Sequence, residues 1–325
     1  MTSVFRIDVN AQVQALRDLD QAPVSLGLYP LLHGPHDRII LTGMGPSHFA
    51  GLPSWRRLVS RGKPTLWIDA AKLLDNYDLI TPDSLLIATS RSGVRAELIA
   101  LLKTLDETTR PAAIVAITDD LASPLAAAAD SEILLRSISL RSSQGFLNAL
   151  AAHDYLASMI LSEDNDDISI TASVVAETTF PIRLREVAAA FAANPDSRLA
   201  YIGFGEHAAT SFYAASLTTE ATGITAEGYI GEQSGHVIRQ KADTHLTALL
   251  FSGRDAANSA HSQRLASDLV SAGSTVVVVG PADVAGSTYI LGPTSHVSAQ
   301  LAHGVVVAEH FVSSLTAALA AAATP

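Results

Sequence analysis

The stretch Ala88-Thr-Ser-Arg-Ser-Gly-Val-Arg-Ala-Glu97 leaves an apolar run, Ser84-Leu-Leu-Ile87, and enters a segment of helical period. Small hydroxyl residues, a glycine and an arginine at a strand-to-helix turn suit an anion. Backbone N–H groups at a helix N-terminus lack intrahelical partners and sit at the positive end of the helix dipole. Serine hydroxyls add donors, and a guanidinium adds a charged fork. Ser90, Arg91 and Ser92 are therefore candidates for phosphate binding. Ser47, after the first strand, and Ser142, at the start of a long helix, are candidates to converge on them. Taken alone, the stretch reads equally well as a polar turn with solvated arginines.

A second group suits proton transfer. Glu220 falls near the end of a helix, where the dipole disfavours a carboxylate. His236 follows in a Gly- and Ser-rich turn, Glu232-Gln-Ser-Gly-His236. A carboxylate and an imidazole can move protons on carbon and oxygen beside a carbonyl. A surface helix residue and an exposed loop histidine account for the same two letters. A third feature is the pair of Gly-x-Gly turns, Gly43-Met-Gly45 and Gly203-Phe-Gly205-Glu-His-Ala208. The second fits a dinucleotide fingerprint, which keeps a nicotinamide-dependent dehydrogenase as an alternative, but glycines also simply permit a tight turn.

These residues need a scaffold of alternating strands and helices. Short apolar runs at Arg38–Gly43, Thr65–Ile68, Ser84–Ala88, Ala113–Thr118 and Glu132–Leu135 predict strands. They alternate with helical stretches at Phe49–Ser60, Ala96–Leu105, Pro124–Ala128 and Gln144–Leu161, the pattern of βαβ units and a parallel sheet. The acidic stretch Ser162–Asp167 reads as an exposed turn or linker. The pattern then restarts: Phe180–Ala193 is helical, and Ser197-Arg-Leu-Ala-Tyr-Ile-Gly-Phe-Gly205 repeats Asp37-Arg-Ile-Ile-Leu-Thr-Gly-Met-Gly45. Further strands are expected at Leu246–Phe251, Thr275–Val279 and Tyr289–Leu291, and helices at Ala208–Thr219, Ser259–Ala272 and Gln300–Ala322. This is an internal duplication of an α/β unit. The expected domains are residues 1–165, with an N-terminal helical segment, and residues 166–325. Ligands of such sheets bind beyond the carboxyl ends of the strands, where the strand order reverses.

Composition narrows the function. The 325 residues are 48% hydrophobic, carry a formal net charge of −11 and include no cysteine. No basic block is present to neutralise nucleic-acid phosphates. Disulfides, thiolate metal sites and a cysteine nucleophile are excluded. Apolar runs such as Thr275–Val279 are too short to span a bilayer, and MTSVFRIDVN lacks a signal-like apolar block. The expectation is a cytoplasmic protein that binds neither nucleic acid nor membrane. The closest histidine pair, His33 and His36, flanks Gly34-Pro35, which argues against one helix presenting both to a metal ion.

Taken together the motifs resemble the sugar isomerase (SIS) family with two tandem domains, nearest to the isomerase half of glucosamine-6-phosphate synthase and the related amino-sugar-phosphate deaminases and deglycases. The resemblance rests on Ser90-Arg-Ser-Gly-Val-Arg95 for the family's Ser-x-Ser-Gly-x-Thr turn, Gly45-Pro-Ser47 for its Gly-x-Ser, and Arg141-Ser-Ser143 for its Ala-Ser-Thr. It also rests on Glu220, Ala226-Glu-Gly-Tyr229 and Gly235-His236, with sixteen residues between Glu220 and His236. It implies two flavodoxin-like, three-layer αβα domains with mainly parallel sheets. It also implies phosphate binding by Ser47, Ser90, Arg91, Ser92 and Ser142, with Arg95 beside them, and a Glu220 base working between C1 and C2. His236 would act in ring opening from the neighbouring subunit of a homodimer. No metal or organic cofactor is implied.

Departures from the family matter. Arg95 replaces the usual threonine and is a larger, permanently charged fork. Leu217 stands where the synthase has a lysine, and no lysine follows Lys241. The glutaminase half is absent from this sequence. The expected activity is that of a phosphosugar isomerase, deaminase or deglycase acting on a phosphorylated sugar or amino sugar. A phosphosugar-binding sensor without turnover is the alternative.

Overall fold

A computed structural model describes residues 7–21, 27–137, 142–163, 167–253, 255–293 and 296–322. The chain divides into two compact units, Ala11–Ala172 and, with Met1–Asn10, Ser173–Pro325.

The first unit runs α1 (Val9–Asp20), α2 (Leu28–Leu32), β1 (Arg38–Gly43), α3 (Pro46–Phe49), α4 (Leu52–Ser60), β2 (Thr65–Trp67), α5 (Ala70–Asp75), β3 (Ser84–Thr89), α6 (Ala96–Glu107), β4 (Ala113–Thr118), α7 (Pro124–Ala128), β5 (Ser131–Leu134) and α8 (Ser142–Leu161). After α9 (Asp167–Glu177), the second unit runs α10 (Ile182–Ala193), β6 (Arg198–Gly203), α11 (Ala208–Thr222), β7 (Ala226–Ile230), α12 (Gly231–Gln240), β8 (Leu246–Phe251), α13 (Ala256–Ser271), β9 (Thr275–Gly280), β10 (Thr288–Leu291) and α14 (Val297–Ala322).

Each unit holds a five-stranded sheet, ordered β2-β1-β3-β4-β5 in the first and β7-β6-β8-β9-β10 in the second. Every described strand pairing is parallel. The two orders are the same, so the repeated sequence pattern is a repeated fold. Central strands β3, β4 and β8 are buried along their whole length, as expected when helices cover both faces of a parallel sheet.

In the second unit the core gathers Tyr201, Leu249, Phe251, Val277, Val307 and Phe311. The helix α14 is long and apolar enough to cross a membrane, yet half of its most apolar stretch is buried. Its Val305, Val306, Val307, Phe311 and Leu315 are buried within the protein, and it packs on α10 and α11. Core packing accounts for its composition.

Several elements differ from the sequence expectation, the unanticipated helices α5 and α9 among them. The strand β7, AEGYI, has no apolar run because it is an edge strand. Its Glu227 and Tyr229 both bond Lys241 instead. His236 lies on a helix, α12, rather than in a turn. Two glycines and a serine make that helix intrinsically weak, but Gly231 is needed where a β-carbon would lie 2.6 Å from the Phe204 ring. Within the stretch expected to be an exposed linker, Asp164, Asn165 and Asp166 lie outside the described residues. Glu163 is half-buried and ion-paired with Arg57 and with Arg61, 3.1 Å away, while Arg57 also reaches Asp154 at 2.7 Å.

Phe311 is fully buried and meets Tyr201 edge-on. Phe311→Ala should lower the unfolding free energy by about 3–5 kcal/mol through the cavity it leaves. Urea unfolding measures this, and a loss below about 1 kcal/mol would mean that the site collapses to fill the space.

Candidate functional site

In the first unit the strand order reverses at β1, which pairs with β2 on one side and β3 on the other. The loops leaving β1 and β3 therefore emerge side by side. Gly43 pairs in register with Thr89, and a β-carbon on Gly43 would stand 2.8 Å from the Thr89 carbonyl oxygen and 3.1 Å from the His48 nitrogen. Glycine is required by this close approach. Ser47 follows in the first turn of α3, half-buried.

The turn after β3 is tied down from several sides. The Ser90 N–H donates to the Ile117 carbonyl at 3.0 Å, and the Asp119 N–H donates to the Arg91 carbonyl at 2.9 Å. The Gly93 N–H donates to the Ser90 carbonyl at 3.0 Å and to its hydroxyl at 3.2 Å. Gly93 has φ +64° and lies against Ser123, so it meets both the conformational and the steric demand for glycine. Ser90 is buried and Ser92 exposed. The turn is thus a rigid seat whose outer rim carries Ser92, ahead of α6.

Arg91 is half-buried, and its stem crosses the start of α8: a β-carbon on Gly145 would lie 2.8 Å from the Arg91 Cδ. The helix bearing Ser142 is therefore brought to the Ser90–Gly93 turn. The side chains of Ser142 and Ser143 lie outside the described residues. Arg95 occupies the N-cap position of α6 in extended conformation, is exposed and does not cap the helix.

Two histidines beneath this seat have no place in the sequence expectation for the site. The His153 Nε2, on α8, lies 2.8 Å from the Thr89 hydroxyl at the end of β3. His48 stacks on Trp67 with ring centroids 4.2 Å apart and planes 4° from parallel, and the Trp67 N–H donates to the His48 carbonyl at 2.8 Å. Burial pushes His48 down to about 4, despite Asp69, and His153 down to about 3, where a charge on His48 would add to the effect. Both rings are neutral near pH 7. A single histidine within an alanine- and leucine-rich helix reads as core from sequence, and only the pairing of strand ends shows where it points.

In the second unit α11 is anchored by two buried hydrogen bonds. The Tyr213 hydroxyl donates to Glu309 on α14 at 2.7 Å, and Tyr201 and Thr218 hydroxyls meet at 2.7 Å. Glu220 lies on the exposed side of its last turn, before the Gly223 cap at φ +74°. His236 is exposed on α12. Among the described residues, Glu220 and His236 share no hydrogen bond, so the chain does not by itself couple them as a pair.

Two doubly wound α/β units place their candidate ligand-binding loops beyond the carboxyl ends of the strands, and the first carries a serine- and arginine-bearing turn at its switch point. Residues 31–159 match the family model of the SIS domain, and this part of the chain is a SIS domain. No curated protein matches the sequence. Among solved structures, the C-terminal domain of glucosamine-fructose-6-phosphate aminotransferase from Francisella tularensis superposes with a TM-score of 0.79 at 14% identity, covering 96% of this chain and 95% of that one. Tagatose-6-phosphate ketose/aldose isomerase from Escherichia coli follows at 0.76 and 17%, covering 95% and 90%. Glucosamine-6-phosphate deaminase from Thermotoga maritima gives 0.65 and 16%, covering 96% and 95%. At such identities the likeness speaks for the fold alone, two α/β units that each carry a parallel five-stranded sheet.

His153 makes stability depend on pH with a definite sign. Its neutral form is native, while the unfolded chain takes up a proton below about 6.5. The stability is complete above that value and is lost as the pH falls toward about 3. His153→Gln, which keeps a partner for Thr89, should reduce the slope of unfolding free energy between about pH 6 and pH 5 by up to about 1.4 kcal/mol per pH unit. An unchanged slope in urea unfolding would mean that His153 is not held neutral.

Proposed function

We propose that the protein is a phosphosugar isomerase-type enzyme. The turn Ser90–Gly93, with Arg91, Ser47 and Ser142, receives the phosphate, and Glu220 moves a proton between C1 and C2 of the open-chain sugar. His236 assists ring opening from a second copy of the chain, which makes the working form a dimer. Arg95, exposed at the rim before α6, reads a further acidic group of the substrate. The observation that carries this reading is the built turn itself: a glycine at φ +64°, a buried serine and a half-buried arginine at the switch point of a parallel sheet.

The chemistry follows from the groups present. A phosphate at the turn meets free N–H groups at the start of α6 and a guanidinium, which together give charge-assisted hydrogen bonds. A carboxylate is a competent base once a substrate excludes water from it. Loss of a proton from C2 and its return to C1 turns an aldose into a ketose, with the O2 hydroxyl proton transferred to the O1 carbonyl oxygen in the same sense. The step balances without an oxidant or a cofactor.

One observation favours a second reading, a phosphosugar-binding protein without turnover. Leu217, one turn before Glu220, is buried at 2% exposure and offers no amine where the synthase has a lysine. No imine to the protein can form at that position, which weakens the case for turnover.

The distinguishing experiment incubates the protein in D2O with a panel of hexose and amino-hexose 6-phosphates and follows the C2–H resonance by NMR. Exchange or isomerisation is expected with wild type. In Glu220→Gln it should fall by about 10²–10⁴-fold while the same sugar still raises the melting temperature by mass action. Equal exchange in Glu220→Gln would remove the assignment, and binding without exchange in wild type would establish the non-catalytic reading.

A further inference from the structure

The second unit repeats the switch point of the first. β6 pairs with β7 on one side and β8 on the other, and Gly203 pairs in register with Phe251 as Gly43 pairs with Thr89. The repeated ends carry different chemistry. His207, from the loop after β6, and His303, on α14, are both buried and meet beside Ser252, which follows β8. The His207 ring lies against α14, where a β-carbon on Gly304 would stand 3.0 Å from its Cε1. These residues, with Gln300 and the strand-end Gly280, line a recess of about 10 Å³, room for one hydroxyl or water oxygen.

The recess does not stand alone. Gly292, Pro293 and His303 line both it and a cleft of about 680 Å³ in the same unit, within the range of small-molecule sites. Phe180, Tyr289 and Leu291 give that cleft apolar surface, and Thr178 and Thr179 give it hydroxyls. His303 is 7% exposed, its ring makes no side-chain hydrogen bond among the described residues, and it lines both the recess and the cleft, so the ring faces their junction. His207 has only a long contact to the Thr210 hydroxyl, 3.3 Å.

Charge selects the ligand class. The only charged group among the described lining residues is the Glu177 carboxylate, so this site lacks the cation that the first unit offers in Arg91. Burial pushes His207 down to about 3, helped by His303, and His303 down to about 4. Each imidazole is then neutral near pH 7 and presents one donor and one acceptor, the complement of a hydroxyl.

The geometry points to a second ligand site in the C-terminal unit, for an uncharged sugar. Its ring lies in the cleft against Phe180 and Tyr289, and one hydroxyl enters the recess between His303, His207 and Ser252. This goes beyond the phosphate seat of the first unit and does not depend on it. The duplicated fold thereby holds two sites of opposite preference, one for an anion and one for neutral hydroxyls.

Saturation-transfer-difference NMR with D-glucose, N-acetyl-D-glucosamine and maltose, and a separate inorganic phosphate titration, tests the assignment. At least one uncharged sugar should give a saturable signal with wild type and equally with Ser90→Ala, which alters only the first unit. The affinity should drop by about tenfold in His303→Leu and in Ser252→Ala, with circular dichroism showing that each variant is folded. No signal with any of the three sugars would overturn the site. So would a signal that survives in both second-unit variants, or one lost in Ser90→Ala.

Discussion

The carbonyl oxygen of Thr89 lies so close to Gly43 that no side chain fits between them. That contact is the consequence of β1 and β3 pairing in parallel at the point where the strand order turns back. It decides what can stand at the top of the sheet. Two loops must leave together without colliding, so one carries Gly-x-Gly and the other a tight serine- and glycine-bearing turn. The backbone N–H groups released there have no partners within a strand, and the helices that follow present more of them. Such a place suits an anion, which is why the proposed phosphate seat lies there.

The same constraint acts twice, because the fold is duplicated. Gly203 occupies the position of Gly43, and His207 crowds behind it as His48 crowds behind Gly43. Each unit also sets a histidine of its long last helix, His153 or His303, against the strand ends, and each pair is kept neutral by burial. In the first unit His153 spends its Nε2 on Thr89 and supports the turn from below. In the second, His303 faces open space. The two units share one frame, and the residues at their switch points differ.

Much of this frame was legible in the sequence. The central strands read as apolar runs between turn residues because a parallel sheet is buried on both faces. The Gly-x-Gly turns and the Ser90–Gly93 stretch announced themselves by composition and by position at strand ends. The elements that escaped are those whose stability comes from tertiary contact. The strand β7 lacks an apolar run and is held by pairing with β6 and by Lys241 on Glu227 and Tyr229. The helix α12 opens on Gly231 because the Phe204 ring leaves no room for a side chain there. His153 and His303 look like ordinary core histidines in alanine- and valine-rich helices. Their meaning depends on which strand end they face, and spacing along one helix carries no such information.

In the proposed function, Arg91 holds a phosphoryl group at the seat after β3. The most direct measurement is the ³¹P resonance of hexose 6-phosphates titrated with the protein and with Arg91→Ala. A saturable shift or broadening is expected with wild type for at least one sugar phosphate, weakened by about tenfold or more in Arg91→Ala, as befits loss of a charge-assisted hydrogen bond. A ³¹P resonance that responds identically to both proteins, or to neither, would contradict it.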